Sequence, residues 1–260
     1  MSDHEALHAR VQAQFGSNAQ NYVHSTVHAG GEDLELLFKV AQPTAEMRVL
    51  DVATGGGHTA LRFAHAVKEV VATDLTQAML IAAQNHILPQ ATNVRFELAD
   101  AHQLPFEDAT FDLVTCRIAA HHFHDVFRFV CESARVLKLG GKLIVQDQVV
   151  PDDPLGAEYL NAFEVLRDPS HVRILSQEEW RNNFLDAGFE VLEEHRLARQ
   201  DQFVSWCERM ACPPSVVERL TVMMAQVPLT AKDWMNPRAI GTADASITHQ
   251  YLLICGERVR

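Results

Sequence analysis

The chain has few of the features that mark nucleic-acid-binding or membrane-spanning proteins. It carries 22 lysine and arginine residues against 34 aspartate and glutamate residues, a net charge of −12. Nucleic-acid binders usually present a basic face, and this sequence has no basic run, so we expect no nucleic-acid partner. No apolar stretch approaches the roughly 20 residues that a membrane-spanning helix needs, so we expect no membrane insertion.

Cysteine is scarce, and its placement excludes the common structural uses of thiols. The five cysteines are odd in number, scattered, and form no C-x-x-C pair. Cys207 and Cys212 have no histidines at zinc-ligand spacing, so we predict reduced thiols and no metal site. The first ten residues are polar and include acids, unlike a signal peptide. We therefore expect a cytoplasmic protein.

Short apolar strands alternate with helical segments through the first half of the chain. The predicted strands are Arg48–Ala53, Glu69–Thr73, Val94–Leu98, Phe111–Cys116 and Lys142–Gln146, and the predicted helices are Thr59–Ala66, Gln77–His86 and Val126–Leu137. This alternation predicts an α/β fold with a mostly parallel sheet and helices on both faces. With Phe189–Glu194 and Gln250–Cys255 the sheet has seven strands.

We predict one domain over residues 1–260, with additions around a core at 46–150. Residues 1–45 are polar and weakly helical, while prolines mark 151–176 as an excursion over the ligand-binding face. The helix Gln177–Asp186 ends at Gly188. Residues 199–247, between the last two strands, are too many for a hairpin loop, and they predict a helical cap or an oligomer contact.

The first strand runs into Asp51-Val52-Ala53-Thr54-Gly55-Gly56-Gly57. A glycine-rich turn between a strand and a helix lets a nucleotide-like ligand approach the backbone closely. A carboxylate in that turn would repel a diphosphate, which the amides and the helix dipole would otherwise attract. Asp51 therefore favours a ligand with a cationic head, such as S-adenosylmethionine.

Three more polar residues follow predicted strand ends. Asp74, Asp100 and Arg117 come after the second, third and fourth strands, with the small Ala101 beside Asp100. Since the carboxyl ends of parallel strands share one edge, these residues should line one crevice with Asp51. Asp74 can accept hydrogen bonds from ribose hydroxyls, and Asp100 from an adenine amino group. As alternatives, each acid could cap a helix or belong to a turn.

The ordered series DVATGGG, ATD, LADAHQLPF, FDLVTCR, AAHHF and RVLKLGGKL resembles class I S-adenosylmethionine-dependent methyltransferases. Within that group the chain is similar to the small-molecule enzymes related to ubiquinone/menaquinone C-methyltransferases, over about residues 10–195. The resemblance implies a Rossmann-like fold, S-adenosyl-L-methionine as cofactor and a small-molecule substrate. Ala53 stands where the family commonly has its first glycine.

The resemblance also implies a role for each cofactor-binding residue. Asp51, Thr54 and the amides around Ala53, Gly55 and Gly57 would hold the methionine portion. Asp74 would hold the ribose, Leu75 and Met79 the adenine face, and Asp100 and Ala101 the adenine edge, while Arg117 would present backbone to the methionine portion.

Two residues are candidates for catalysis at the molecule that accepts the methyl group. His122 follows the fourth strand and titrates near neutral pH, so it could remove a proton from the acceptor. Asp147, at the end of the fifth strand, is the second candidate. As an alternative, the histidines here could cap a helix or face solvent.

The candidate substrate-binding residues are Tyr22 and His28, in a segment that resembles an N-terminal lid, and His171 and Arg173 in the proline-marked excursion. His171 and Arg173 could bind an acidic or carbonyl-bearing acceptor, or form a turn with a surface ion pair. Trp206 could line the pocket or belong to the core of the insertion.

Two other functions stay open at this stage, as does a homodimer. A nicotinamide oxidoreductase would share the fold class, but Asp51 and the lack of G-x-G-x-x-G disfavour it. A methyltransferase-like protein that binds the cofactor without turnover is the second alternative.

Overall fold

A computed structural model describes residues 8–12, 14–15 and 31–260 of the chain. Its strands are β1 (Arg48–Val52), β2 (Glu69–Asp74), β3 (Val94–Leu98), β4 (Phe111–Arg117), β5 (Leu137–Gln148), β6 (Phe189–Gln202) and β7 (Ser246–Arg258). The helices are α1 (Glu32–Ala41), α2 (His58–Ala64), α3 (Gln77–Ile87), α4 (Val126–Val136), α5 (Pro154–Arg167), α6 (Gln177–Asp186), α7 (Phe203–Glu208), α8 (Pro214–Ala225) and α9 (Leu229–Met235). Residues 8–12 and 14–15 are also helical.

The seven strands form one sheet in the order β3-β2-β1-β4-β5-β7-β6. The first five strands are mutually parallel, and β7 is antiparallel to both β5 and β6. The predicted seven-stranded, mostly parallel, Rossmann-like sheet with helices on both faces is confirmed. Its order reverses at β1 and β4, where ligands bind in open parallel sheets.

Successive side chains of the central strands point to opposite faces of the sheet, and each face has its own apolar core. Val49 packs with Phe63 of α2 and Ile87 of α3. Leu50, on the opposite face, belongs to a cluster with Phe129 of α4. Because both faces are covered by helices, the strands are apolar almost throughout, which is why they were readable from sequence.

The last two strands are much longer than predicted. Phe189–Glu194 was expected, but β6 continues to Gln202, and β7 begins at Ser246 rather than Gln250. The two strands pair with each other along this extension. β6 is an edge strand whose second half alternates partly buried and exposed polar residues, so it lacks the apolar signal of a central strand.

A local bulge precedes the segment predicted as the fifth strand, Lys142–Gln146. β5 begins at Leu137, and the pairing with β4 jumps from Phe111–Leu137 to Leu113–Lys142. The residues between protrude from the ladder, with Gly140 at φ 77°. Glycine adopts this left-handed conformation without the steric cost of a Cβ.

The late segments build a separate helical layer with its own apolar cluster. Phe163 of α5, Leu220 of α8 and Met235 of α9 surround the buried Trp206 of α7. The ring of Trp206 stacks on Phe163 with centroids 5.3 Å apart. Trp206 therefore belongs to the core of this layer and not to the ligand pocket. Among the described residues, no helix combines the length and apolar character needed to span a membrane.

Candidate active site

The carboxyl ends of the parallel strands surround a pocket of about 1080 Å³, including its opening to solvent. Its wall includes the ends of β1, β2 and β4, the glycine turn, and the loops after β3 and β4. The N-terminal helical segment also contributes, through His8, Val11 and Phe15. Most of the predicted cofactor-binding residues line this one pocket: Asp51, Ala53, Thr54, Gly55, Asp74, Leu75, Met79, Asp100, Ala101 and Arg117.

The glycine turn uses three left-handed backbone positions. Ala53, Gly55 and Gly57 have φ of 54°, 56° and 83°. Ala53 and Gly55 line the pocket, and Thr54 is pinned by its amide to the carbonyl oxygen of Thr73 at 2.8 Å. Ala53 therefore holds a conformation that costs a residue with a Cβ roughly 1 kcal/mol or more.

Gly57 departs from the role predicted for it. It is not among the residues that line the pocket, and its amide already donates to the carbonyl oxygen of Thr54 at 2.9 Å. A Cβ at this position would lie 2.7 Å from Cδ1 of Ile87. The third glycine thus permits close packing of α2 against α3, and it does not present an amide to a ligand.

Asp51 is buried at the floor of the pocket, only 2% exposed. Its two carboxylate oxygens accept hydrogen bonds from the hydroxyls of Thr54 and Thr115, each at 2.7 Å. Burial raises the pKa of Asp51 to about 6 from its ordinary value of 3.8, although these hydroxyls oppose the shift. The Ala60 amide and the charge of Arg117 also oppose the shift without cancelling it, so a cationic ligand would further stabilise this carboxylate.

Asp74 forms the neighbouring part of the wall. Its carboxylate accepts hydrogen bonds from the amide of Gly55 at 3.1 Å and the amide of Thr76 at 2.9 Å. Burial raises the pKa of Asp74 to about 6 as well. The two amides fix the orientation of the carboxylate, and each oxygen keeps a further lone pair for a ligand hydroxyl.

Asp100 is less buried and is already paired with a neighbouring histidine. Oδ1 of Asp100 contacts Nδ1 of His102 at 2.5 Å, and the His102 amide donates to the same oxygen at 2.9 Å. Burial would raise the pKa of Asp100, but these hydrogen bonds outweigh it and lower the pKa to about 2. Asp100 is therefore a carboxylate at neutral pH.

Arg117 reaches the pocket at the end of β4, and its side chain is anchored away from bulk solvent. Its guanidinium donates to Asp33 at 2.8 Å and to the hydroxyl of Thr59 at 3.1 Å. Asp33 also accepts from the amide group of Gln146 at 3.0 Å. This network ties α1 to α2, β4 and β5 beneath the pocket.

His122 lines the pocket beside Phe15, whose ring meets it edge-on at a centroid distance of 4.9 Å. Nδ1 of His122 lies 3.0 Å from the carbonyl oxygen of Ser170. A carbonyl can only accept, so Nδ1 carries the proton and Nε2 is the unprotonated nitrogen of the neutral ring. Burial, together with the nearby His121, lowers the pKa of His122 to about 3, so, contrary to the prediction, the ring does not titrate near neutral pH and is a weak base.

Asp147 is not on the pocket wall, contrary to its predicted direct catalytic role. Its Oδ1 contacts Nδ1 of His121 at 2.6 Å, and its Oδ2 accepts from the His121 amide at 2.9 Å. Burial would lower the pKa of His121, but the Asp147 carboxylate overcomes this and raises it. Asp147 therefore orients His121, which in turn packs against the ring of His122 at 4.2 Å between centroids.

The four predicted substrate-binding residues have different outcomes. Tyr22 and His28 lie outside the described residues. His171 is buried behind the pocket wall, with its ring 5.3 Å from that of His121 and its pKa lowered to about 4 by burial and by His121. Arg173 is half-exposed, pairs with Glu179 and does not line the pocket, which matches the surface ion pair considered as its alternative.

Some pocket residues escaped the sequence analysis. His8, His102 and His124 all line the wall. Thr115, which binds Asp51, could have been found from register, because it is the residue directly opposite Asp51 in the parallel β1–β4 pair. His102 had only one signal, its position two residues after Asp100.

Comparison with known proteins agrees with this architecture. The sequence profile of the methyltransferase domain family matches residues 50–145. The chain is 42% identical over 211 residues to an uncharacterized methyltransferase, YcgJ, from Bacillus subtilis. The aligned region covers 78% of this chain and 80% of that protein. The crystal structure of YcgJ superimposes with a TM-score of 0.84 over 87% of this chain and 98% of that chain, at 35% identity.

A second relative is the ubiquinone/menaquinone biosynthesis C-methyltransferase UbiE of Ectopseudomonas mendocina. It is 33% identical over 176 residues, which cover 58% of this chain and 68% of that protein. Together with the strand-end pocket, these similarities identify the fold and its enzymatic class. The chain belongs to the class I S-adenosylmethionine-dependent methyltransferases and is an enzyme of methyl transfer.

Proposed function

We propose that this enzyme transfers a methyl group from S-adenosylmethionine to a small organic acceptor. The observation that carries the proposal is the pair of buried carboxylates, Asp51 and Asp74, at the ends of adjacent strands in one pocket. Both have pKa values raised to about 6 by burial, so both gain from a ligand that brings positive charge and hydroxyl donors.

The pocket residues fit that cofactor part by part. Asp51 and the turn at Ala53–Gly55 would hold the ammonium end, and Asp74 would hold the ribose hydroxyls. Leu75 and Met79 offer an apolar surface to the adenine. Ala101 leaves space at its edge, beside Asp100. When bound, the cofactor supplies a methyl group made electrophilic by its sulfonium.

His122 is the residue we assign to the acceptor. Its Nδ1–H is committed to Ser170, so the unprotonated Nε2 is available to accept a hydrogen bond from an acceptor O–H or N–H. Asp147, through His121, positions the ring of His122 and does not itself meet the acceptor. Methyl transfer is an in-line displacement, so holding the nucleophile in line is a large part of the catalysis.

The walls near His122 indicate an apolar acceptor. Phe15, Ile118, Ala119 and Phe123 line this part of the pocket, and no lysine or arginine other than Arg117 lines it among the described residues. Arg117 is committed to Asp33. The name of UbiE, a ubiquinone/menaquinone biosynthesis C-methyltransferase, is consistent with a carbon nucleophile as the acceptor.

The N-terminal segment acts as a lid in this proposal. Phe15 contacts His122, and Gln12 donates to the carbonyl oxygen of Leu75 at 3.1 Å. The segment thus touches both the proposed acceptor region and the proposed adenine region. A lid that excludes water strengthens the electrostatic interactions inside the pocket.

Calorimetry with S-adenosylhomocysteine, the product form of the cofactor, tests the assignment. Replacing Asp74 with Ala should weaken binding by about 1–3 kcal/mol, the scale of hydrogen bonds to a charged group. The matched control is Asp186→Ala, an exposed aspartate at the end of α6, which should bind as the wild type does. Binding of NAD⁺ without binding of S-adenosylhomocysteine would instead favour an oxidoreductase.

Turnover is tested with S-adenosylmethionine and a panel of quinols, phenols, enols and amines. Release of S-adenosylhomocysteine together with a product heavier by one methylene unit establishes the reaction and the acceptor class. Tight cofactor binding with no product across the panel would favour a protein that binds the cofactor without turnover.

A further inference from the structure

Three histidines from separate parts of the chain meet at one corner of the pocket. His8 belongs to the N-terminal helical segment, His102 to the loop after β3, and His124 to the loop before α4. Each offers one ring nitrogen, and the three nitrogens all lie within 4.8 Å of one another. The rings of His102 and His124 are 3.7 Å apart between centroids, and that of His8 is 5.9 Å from His124.

Three imidazoles in this arrangement are the donor set of a transition-metal site. Neutral imidazole suits Zn²⁺ and its first-row neighbours, and three protein ligands with one open position are typical of solvent-accessible zinc sites. Zinc–nitrogen bonds of about 2.1 Å place tetrahedral ligands roughly 3.4 Å apart, so nitrogens at the 4.8 Å limit must approach each other by roughly 1.4 Å.

Asp100 provides the outer contact that such sites normally have. Its Oδ1 lies 2.5 Å from Nδ1 of His102, which fixes the proton on Nδ1 and presents the lone pair of Nε2. The amide of Asp125 points at that Nε2 from 3.4 Å, as expected for an unprotonated nitrogen. This long contact is weak and would be given up to a metal.

We propose that His8, His102 and His124 form a site for a divalent transition-metal ion, with Zn²⁺ as the probe, which fastens the N-terminal segment to the rim of the pocket. His8 is on the N-terminal segment, while His102 and His124 are on the body of the domain. An ion shared by all three therefore connects the lid to the wall. The fourth position is left for water or a pocket ligand.

No metal site was predicted because Cys207 and Cys212 have no histidines at zinc-ligand spacing, and His8, His102 and His124 form no recognisable spacing motif. His8 and His102 are far apart in sequence, and their proximity depends on the N-terminal segment crossing the carboxyl edge of the sheet. The binding site therefore exists only in the folded chain.

Competition with a chromophoric zinc chelator, without any cofactor, measures the site directly. The wild type should bind one Zn²⁺ per chain, and His8→Ala, His102→Ala and His124→Ala should each lose tenfold or more in affinity. His65→Ala removes an exposed histidine at the end of α2 and serves as the matched control, with unchanged affinity. If His8→Ala binds as tightly as the wild type, the proposal is overturned.

Two further measurements separate a real site from a structural effect of the substitutions. Co²⁺ should give the visible spectrum of a tetrahedral nitrogen site in the wild type and lose it in His8→Ala, a change in a short terminal segment that leaves the core intact. Zn²⁺ should also slow tryptic cleavage after Arg10 in the wild type but not in His8→Ala. Equal slowing in both proteins would exclude the fastening of the lid.

Discussion

At the scale of single residues, Asp51 is a site residue whose burial lowers the stability of the fold. It is buried, and its carboxylate accepts hydrogen bonds from the hydroxyls of Thr54 and Thr115 and from the Ala60 amide. These neutral donors, even with the charge of Arg117 nearby, do not replace the water that a carboxylate loses on burial. The residue is therefore costly to the fold and valuable to a cationic ligand.

Replacing Asp51 with Asn should stabilise the ligand-free protein above pH 6. The folded pKa of Asp51, about 6, exceeds its ordinary value of 3.8, so its favourable contribution is full below the unfolded pKa and is lost as the pH rises through 6. We expect the variant to gain of the order of 1–3 kcal/mol in free energy of unfolding at about pH 8 and little at about pH 4.

Urea unfolding of both proteins across this pH range checks the expectation, and S-adenosylhomocysteine binding should be weaker in the variant. A gain that does not depend on pH would mean that desolvation of the carboxylate is not its cause.

His122 is the residue on which the acceptor step depends. His122→Ala should lower turnover roughly 10-fold, the scale of one lost hydrogen bond to the acceptor, and leave S-adenosylhomocysteine affinity nearly unchanged. His65→Ala again provides the control on the surface. A large loss of cofactor affinity in His122→Ala would show that the histidine belongs to the cofactor site and not to the acceptor site.

At the scale of elements, the α2–α3 contact explains why the glycine turn ends in a third glycine. Gly57 has φ of 83°, and a Cβ there would meet Ile87 of α3 at 2.7 Å. Gly55 has a similar left-handed φ of 56°, but a Cβ there would find its nearest neighbour, Met79, at an ordinary 3.6 Å. A side chain at position 55 would therefore meet backbone strain alone, whereas one at position 57 would meet both backbone strain and steric overlap.

Gly57→Ala should therefore destabilise the protein more than Gly55→Ala. Backbone strain alone costs about 1–2 kcal/mol, and overpacking against Ile87 adds about 1–3 kcal/mol. Ile87→Val removes the δ-methyl that the new Cβ would strike, so the double variant should recover part of the loss. Denaturant unfolding of the wild type, Gly57→Ala, Ile87→Val and the double variant gives the coupling energy between positions 57 and 87. Strict additivity of the two single changes would contradict the proposed contact.

At the scale of the whole molecule, the pocket draws on distant parts of the chain. β1, β2, β4 and the N-terminal segment all reach it, so a ligand there holds the domain together as a unit. S-adenosylhomocysteine at 100 times its Kd should raise the free energy of unfolding by about 2.7 kcal/mol. Thermal unfolding measures this shift, which should fall to about 0.3–1.8 kcal/mol at the same concentration in Asp74→Ala and be absent with NAD⁺.

The central strands and the cofactor acids were predictable, because local pattern determines them. β1, β2 and β4 are short, mostly apolar runs with Asp51, Asp74 and Arg117 at or next to their carboxyl ends, and parallel strands necessarily bring those ends to one edge. The extensions of β6 and β7 were not predictable, because they rest on pairing between two polar-rich strands distant in sequence.

The amino-acid sequence by itself determined the fold class, the family and the position of the proposed cofactor site, since these follow from periodicity and from residues at strand ends. Only the tertiary structure decided which nearby polar residues reach the pocket. It placed His122 on the wall, Asp147 behind His121, and Arg173 at the surface. It also joined His8 to His102 and His124. Such neighbours depend on loop paths and side-chain directions that long-range packing fixes, and no local pattern records them.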